Sequence, residues 1–411
     1  MTVTAADVER ARAAIADVVR QTPVLPSKTL SDRLGAPVRL KAENLQRTGS
    51  FKIRGALNKV HALGEACAPG VVAGSAGNHA QALAAAADAR GVPCEVFMPR
   101  SAPLAKIEGA ETLGARVRLV GESVDDAIAA AHERAREAGL GFVHPFDDPD
   151  VVAGQGTLGL ELLEDVADLG KVVIPVGGGG LASGVAIAIK SARPDVEVVG
   201  VQAEIVAPVP VSLEAGHPVS VGPALSIADG IAVKRPGELT LALLREWVDD
   251  IVTVPEDEIA EAMVLLLERA KLVVEGAGAV GVAALMCGRT GPAEHGTTVV
   301  VLSGGNVDAG LLATVARRHE TEAGRRLALL TKISDRPGEL ARLLTLLGEQ
   351  EANLVEVEHV REGLDLHVRE TAVQLVLETR GRDHARAVLD AIVAAGYEVH
   401  DLREPSPQLA G

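Results

Sequence analysis

Residues 171–189 read KVVIPVGGGGLASGVAIAI. From Val172 to Ile189 no residue is charged over 18 positions, the length at which an apolar stretch begins to suit a membrane span. Pro175 and the four glycines Gly177, Gly178, Gly179 and Gly180 break that run. The stretch therefore reads as a buried strand, a glycine loop and a buried helix. Four bare residues let successive N–H groups wrap an anion at the helix start, which suits a phosphate. A dinucleotide turn is the competing reading. Gly178 and Gly180 supply G-x-G, and Glu204 ends the next strand near where a ribose-binding acid would sit, but Ser183 stands where the third glycine belongs.

The same strand-then-helix alternation extends outward from residue 38 to about 323. VRLKA (38–42), VVAG (71–74), CEVFM (94–98), RVRLV (116–120), VEVVGV (196–201), DIVTV (250–254) and TTVVVLS (297–303) are the other strand candidates. Between them lie Ala- and Leu-rich stretches of helical period, such as Asn78–Arg90 and Glu256–Lys271. Strands this apolar belong in a parallel sheet covered by helices, so the fold class is α/β. Two βα subdomains are expected, a small one at about 40–150 and a large one made of 1–39 and 151–323. The N-terminal helix, with Thr4 and Asp7 spaced as a capping box, should pack on the large one. The polar run Arg317–Arg326 reads as a linker. Beyond it LALLTKI, PGELARLLTLLGEQ, ANLVEVEHV, TAVQLVLET, DHARAVLDAIVAAG and YEVHDL give βαββαβ, a ferredoxin-like order over 324–411. Alternation in its middle strands predicts one face on helices and one exposed or paired with another copy. With no cluster of reactive groups, this part reads as a regulatory module.

A chain of 411 residues is too long for one ordinary domain. Lys and Arg number 40 against 56 Asp and Glu, a formal charge of −16 that argues against nucleic acid and anionic membrane as partners. Four Phe, one Trp and one Tyr leave little for base stacking. Cys67, Cys94 and Cys287 show no metal spacing, and an odd count without a framework suggests a reducing compartment. The first 21 residues lack the apolar core of a signal peptide, so a cytoplasmic protein is expected.

Three further stretches carry candidate chemistry. GSAGNHAQ (74–81) brings small residues and a helix start together, which suits a carboxylate or phosphate. His79 there could be a base, although a histidine on the first turn of an Ala-rich helix is more often structural. VLSGGNVD (301–308) places Ser303 at a strand end, where a serine by itself would cap a helix. ENLQRTGSFKIRGA (43–56) sets Lys52 between Phe51 and Ile53 just after a Gly49–Ser50 turn. IADGIAVKRPG (227–237) and VVEGAGA (273–279) read as turns that announce no chemistry. Together these parts fit a flat, phosphorylated aldehyde cofactor. The aldehyde needs a partly desolvated lysine, and the phosphate needs the glycine loop. A ring nitrogen needs one polar partner, and a substrate carboxylate needs a second anion-binding helix start.

GSFKIRGA, SAGNHAQ, GGGGLASG, IADGIAVKRPG and LSGGNVD, in this order, resemble the fold-type II pyridoxal-phosphate enzymes and, within them, the threonine dehydratases (threonine ammonia-lyases), over about residues 5–320. ISDRPGELARLL resembles the start of an ACT domain, an amino-acid-sensing module. The resemblance implies pyridoxal 5'-phosphate in the cleft between two parallel-sheet subdomains. Lys52 would hold it covalently and act as general base, with Phe51 against the ring. Asn78 would bond the ring's 3-oxygen, and Gly177, Gly178, Gly179 and Gly180 the phosphate. Ser303 would face the pyridine nitrogen, and Ser75, Ala76, Gly77 and Asn78 would hold the substrate carboxylate. The implied reaction is conversion of L-threonine to 2-oxobutanoate and ammonia, and of L-serine to pyruvate, at the head of isoleucine synthesis. Isoleucine or valine would act as effector near Arg336, Pro337, Gly338, Glu339 and Leu340, between paired ACT domains of a homodimer or homotetramer.

Two departures narrow this. The related serine racemases carry SSGNHGQ, and here Ala76 replaces the second serine, which disfavours racemisation. Their metal pattern keeps Glu204, but the later positions read Pro208 and Pro210, and no metal is expected. A serine racemase or serine dehydratase-like enzyme, an NAD-dependent amino-acid dehydrogenase and a non-catalytic amino-acid sensor are the alternatives.

Overall fold

The opening stretch folds as strand Leu169–Pro175, a tight glycine turn and helix Gly180–Ala192, in which every side chain from Gly180 to Ile189 is buried. This computed structural model describes residues 2–361 and 366–401. Among them no helix is long and apolar enough to cross a membrane. The chain divides into two compact units, Met1–Asp308 and Ala309–Gly411.

The first unit contains two sheets. The larger has six strands in the order Val24–Pro26, Val38–Ala42, Thr297–Leu302, Leu169–Pro175, Glu197–Ala203 and Asp250–Val254. The smaller has four parallel strands ordered Arg116–Leu119, Cys94–Met98, Val71–Gly74 and Gly141–Phe142. VRLKA pairs in parallel with Thr297–Leu302, so it belongs to the large sheet and does not open the small subdomain. Val24–Pro26, antiparallel to Val38–Ala42, and Gly141–Phe142 are too short to leave a periodic signal.

Helix Pro149–Asp165 is the axle of the first unit. Asp148 caps it by accepting from the N–H groups of Asp150 (2.9 Å) and Val151 (3.2 Å), and Pro149 occupies its first turn. A Cβ on Gly154 would meet the Arg54 carbonyl at 2.6 Å and Gly55 Cα at 2.7 Å, so this helix lies backbone to backbone against helix Lys52–Leu63. The N-terminal helix Ala5–Ile15 carries the expected capping box, Thr4 N–H donating to Asp7 at 2.8 Å and Asp7 N–H to Thr4 Oγ1 at 3.3 Å. Its Val8 and Ala11 pack with Val152, Ala153, Ile187 and Ala188, and its Ile15 joins the cluster of Ile53, Leu57 and Val71.

In the second unit the polar run Arg317–Arg326 is not a linker. Its first part completes helix Ala309–Glu322, where Arg318 and Glu322 pair one turn apart at 2.8 Å. A charged run satisfied at i,i+4 spacing is an exposed helix face, and the helix moves the division between units from 323 to 308. Beyond it an antiparallel sheet runs Asn353–Val360, Glu370–Glu378, Arg326–Ser334 and Val399–Asp401, the ferredoxin-like order. Helices Glu339–Glu349 and Arg382–Ala394 bury Leu343, Leu347, Val388 and Ile392 against one face. The edge strand Asn353–Val360 leaves Leu354, Val355 and Val357 exposed.

Candidate active site

A cleft of about 910 Å³ opens where the strands of both sheets of the first unit end. Lys52 begins helix Lys52–Leu63 and lines this cleft. Its Nζ donates to the Pro145 carbonyl at 2.8 Å and stands 5.2 Å from the centre of the Phe51 ring. Burial draws the amine down to about 8, while Glu275 pulls the other way. The segment before Lys52 is stitched to the Ser303 loop. Phe51 N–H donates to the Ser303 carbonyl at 3.0 Å, and Ser50 bridges Gly304.

Two residues along, Arg54 is fully buried and holds the helix in place. It bonds Glu43 at 2.8 Å and Glu161 at 2.6 Å, and Lys41 reaches Glu161 at 2.6 Å. Burial works against the guanidinium, but the two carboxylates keep it charged. Neither Arg54 nor its partners stand out in the sequence, because a charge between apolar residues does not reveal its counter-ions.

Opposite Lys52 lies the glycine loop. Gly179 takes φ +98°, and the Phe146 ring occupies the space that a Cβ on Gly178 would need. The N–H groups of Gly177 to Gly180 meet no acceptor among the described residues. Four free donors at a helix start form an anion cradle. Ser75, Ala76, Gly77 and Asn78 form a second turn at the start of helix Asn78–Arg90, with Gly77 N–H on Ser75 Oγ at 3.3 Å. Ser303 directly follows strand Thr297–Leu302 and lines the same cleft.

The candidate residues thus converge on one cavity, apart from those of the second unit. His79 also borders the cavity. It is buried, its Nε2 bonds the Val143 carbonyl at 2.9 Å, and burial, with Lys52 nearby, pushes it down to about 3. Glu204 is exposed and pairs with Arg289 at 3.7 Å, away from the cavity lining. Arg336, Pro337 and Gly338 form an exposed turn, Gly338 at φ +92°, before half-buried Glu339 and Leu340 open helix Glu339–Glu349.

Several lining groups were not foreseen. Glu275 is 5 % exposed, accepts from Asn78 Nδ2 at 2.7 Å, and is raised to about 7 by burial and by Asp229. Asn306 donates to Asn78 Oδ1 at 2.8 Å. Lys106–Asp229 (2.6 Å) and Lys234–Asp125 (3.0 Å) join the two subdomains beside the cavity. Their sequences, VVEGAGA and IADGIAVKRPG, carry turn signals that conceal the acids within them.

The comparisons agree with this geometry. The family model described as pyridoxal-phosphate dependent enzyme matches residues 15–304. The L-threonine ammonia-lyase of Thermotoga maritima is 45% identical over 398 residues, 97% of this chain and 99% of that protein. Among solved structures, a T.th. threonine deaminase superposes with a TM-score of 0.70 at 43% identity, covering 74% of this chain and 99% of that one. Maize serine racemase reaches a TM-score of 0.73 at 34% identity, covering 78% and 99%. The cofactor named by the family fits the residues present. An aldehyde would meet an amine that burial makes easier to hold neutral, and a phosphate would meet four free N–H donors. The chain belongs to the pyridoxal-phosphate dependent enzyme family.

Proposed function

We propose that this enzyme is an L-threonine ammonia-lyase that converts L-threonine to 2-oxobutanoate and ammonia, and L-serine to pyruvate. The observation that carries the reading is the placement of Lys52, its amine lowered to about 8, across one cavity from the free N–H groups of Gly177 to Gly180. Near-full-length similarity to a threonine ammonia-lyase supports the choice of reaction. Bound pyridoxal phosphate supplies an electron sink that acidifies the Cα–H of an amino acid. Lys52 would hold the cofactor, and its Nζ, when free and neutral, would take the Cα proton. The N–H groups of Gly177 to Gly180 hold the phosphate, and Phe51 flanks the ring. Asn78 donates to the ring's 3-oxygen. Ser303 meets the pyridine nitrogen with a hydroxyl, which does not force protonation as a carboxylate would. Ser75, Ala76, Gly77 and Asn78 hold the substrate carboxylate. Racemisation lacks support, since Ala76 offers no proton-transfer group. The dehydrogenase reading loses its acid, because Glu204 lies outside the cavity.

The second unit is read as an ACT-type regulatory module that binds isoleucine or valine near Arg336 to Leu340. Its ferredoxin-like order and the exposed turn at Gly338 support this, and the apolar edge strand Asn353–Val360 suits pairing of copies in a homodimer or homotetramer. A reducing, cytoplasmic setting and a catalytic part that ends before the module complete the proposal. The test is a steady-state assay of the full chain on threonine. The pure protein should be yellow, bleach with borohydride on Lys52, and release 2-oxobutanoate. Lys52→Ala should lower turnover by at least about 10³-fold. A colourless protein that takes up no pyridoxal phosphate, or a Lys52→Ala variant with full turnover, would sink the reading.

A further inference from the structure

Asn78 sits in a chain of hydrogen bonds whose direction is set at one end. The Thr48 carbonyl can only accept, and Asn306 Nδ2 donates to it at 2.8 Å. The same Nδ2 donates to Asn78 Oδ1 at 2.8 Å, with a longer approach of 3.5 Å to Gln81 Oε1. Asn78 Nδ2 must then face Glu275 Oε1, at 2.7 Å. A flipped Asn78 would oppose two N–H₂ groups and turn its carbonyl oxygen onto a carboxyl group. The chain therefore has one favourable polarity, and it leaves the second N–H of Asn78 for an acceptor in the cavity.

The surrounding backbone is cut to fit it. Gly49, at φ +71°, lies so close to Asn306 that a Cβ there would collide with the amide. A Cβ on Gly304 would collide with the Glu275 carboxyl and come within 3.2 Å of Asn78 Nδ2. Glu275 N–H also donates to the Gly304 carbonyl at 3.1 Å, which ties its backbone to the loop after Ser303.

We propose that Asn306 and Glu275 are positioning residues that fix the polarity of the Asn78 amide, so that it presents an N–H donor to the ring oxygen of the bound cofactor. This rests on the reading above, in which Asn78 meets that oxygen. Asn306 borders the cavity as well as bonding Asn78, and its work is to forbid the flipped amide, whose oxygen would repel the ring oxygen.

Asn306→Asp and Asn306→Ala in the full-length holoenzyme separate polarity from packing. Aspartate is nearly isosteric but only accepts, so it draws Nδ2 of Asn78 toward itself and enforces the wrong polarity. Alanine merely releases the amide. We expect Asn306→Ala to weaken pyridoxal phosphate binding about 3- to 10-fold and Asn306→Asp about 30-fold or more. The visible absorbance of bound cofactor and its pH titration should move further in Asp than in Ala. A purely structural role predicts Ala to be at least as damaging as Asp, and leaves the absorbance titration in place. That order, or an Asp variant with wild-type affinity and spectrum while borohydride still fixes the cofactor on Lys52, overturns the inference and leaves the reading of Lys52 intact. Absence of a Lys52 adduct in the wild type overturns both.

Discussion

Lys52 and Glu275 show how one environment moves two residues in opposite senses. Burial disfavours charge on each, so the amine falls to about 8 and the carboxyl rises to about 7. Lys52 was legible because its flanks, Phe51 and Ile53, promise desolvation. Glu275 was not, because its neighbours Gly276 and Ala277 look like a turn and its partner Asn78 is 197 residues away. The shift at Glu275 has a consequence for stability. A folded-state value above the unfolded one means the native cofactor-free protein binds more protons. Stability from this group is therefore present below about pH 4.5 and lost as pH rises through about 7. The charged groups acting on it are Asp229, which adds to the rise, and Lys106 and Lys52, which oppose it. Glu275→Gln keeps an acceptor for Asn78 but cannot titrate. Urea unfolding of the cofactor-free proteins should show the variant gaining about 2–3 kcal/mol relative to wild type between pH 5 and pH 8. A constant difference across that range would mean Glu275 titrates as an ordinary carboxyl.

Helix Lys52–Leu63 illustrates what an element owes to partners distant in sequence. Its period is plain, but its anchor is the buried set of Arg54, Glu43 and Glu161, drawn from three segments. Removing one member of such a set costs more than the set contributes, because the remaining charges stay buried without a partner. Arg54→Met should lose about 3–5 kcal/mol in denaturant unfolding. Adding Glu43→Gln should return part of that loss, since it removes one stranded charge. If Arg54→Met unfolds at the wild-type midpoint, the network does not anchor the helix. Among the strands, the apolar runs were legible from composition alone. Val24–Pro26 and Gly141–Phe142 were not, because two or three residues carry no period, and only pairing with a neighbouring strand makes them strands. Helix Ala309–Glu322 was mistaken for a linker in its second half because a solvated helix face and a polar loop share a composition.

At the scale of the molecule, each compact unit has its own core, the second built on Leu327, Leu329, Val373, Leu375 and Val388. A chain ending at Asp308 should therefore keep the yellow colour and threonine turnover, within about 3-fold, and lose any response to isoleucine. Assays of both lengths with and without isoleucine check this, and an unchanged response in the shorter chain would place regulation in the catalytic part. The sequence by itself determined the α/β class, the order of its long strands, the ferredoxin-like second part and the short motifs around Lys52, the glycine loop and Ser303. Each of these is local, written in spacing, propensity or a turn residue. Only the tertiary structure decided that VRLKA joins the large sheet, that His79 is buried on the Val143 carbonyl, and that Glu275 and Asn306 hydrogen-bond Asn78. It also revealed that Arg54 shares two buried carboxylates. Those facts depend on desolvation and on partners brought together from distant segments, and no local pattern encodes what a side chain will face once the chain closes around it.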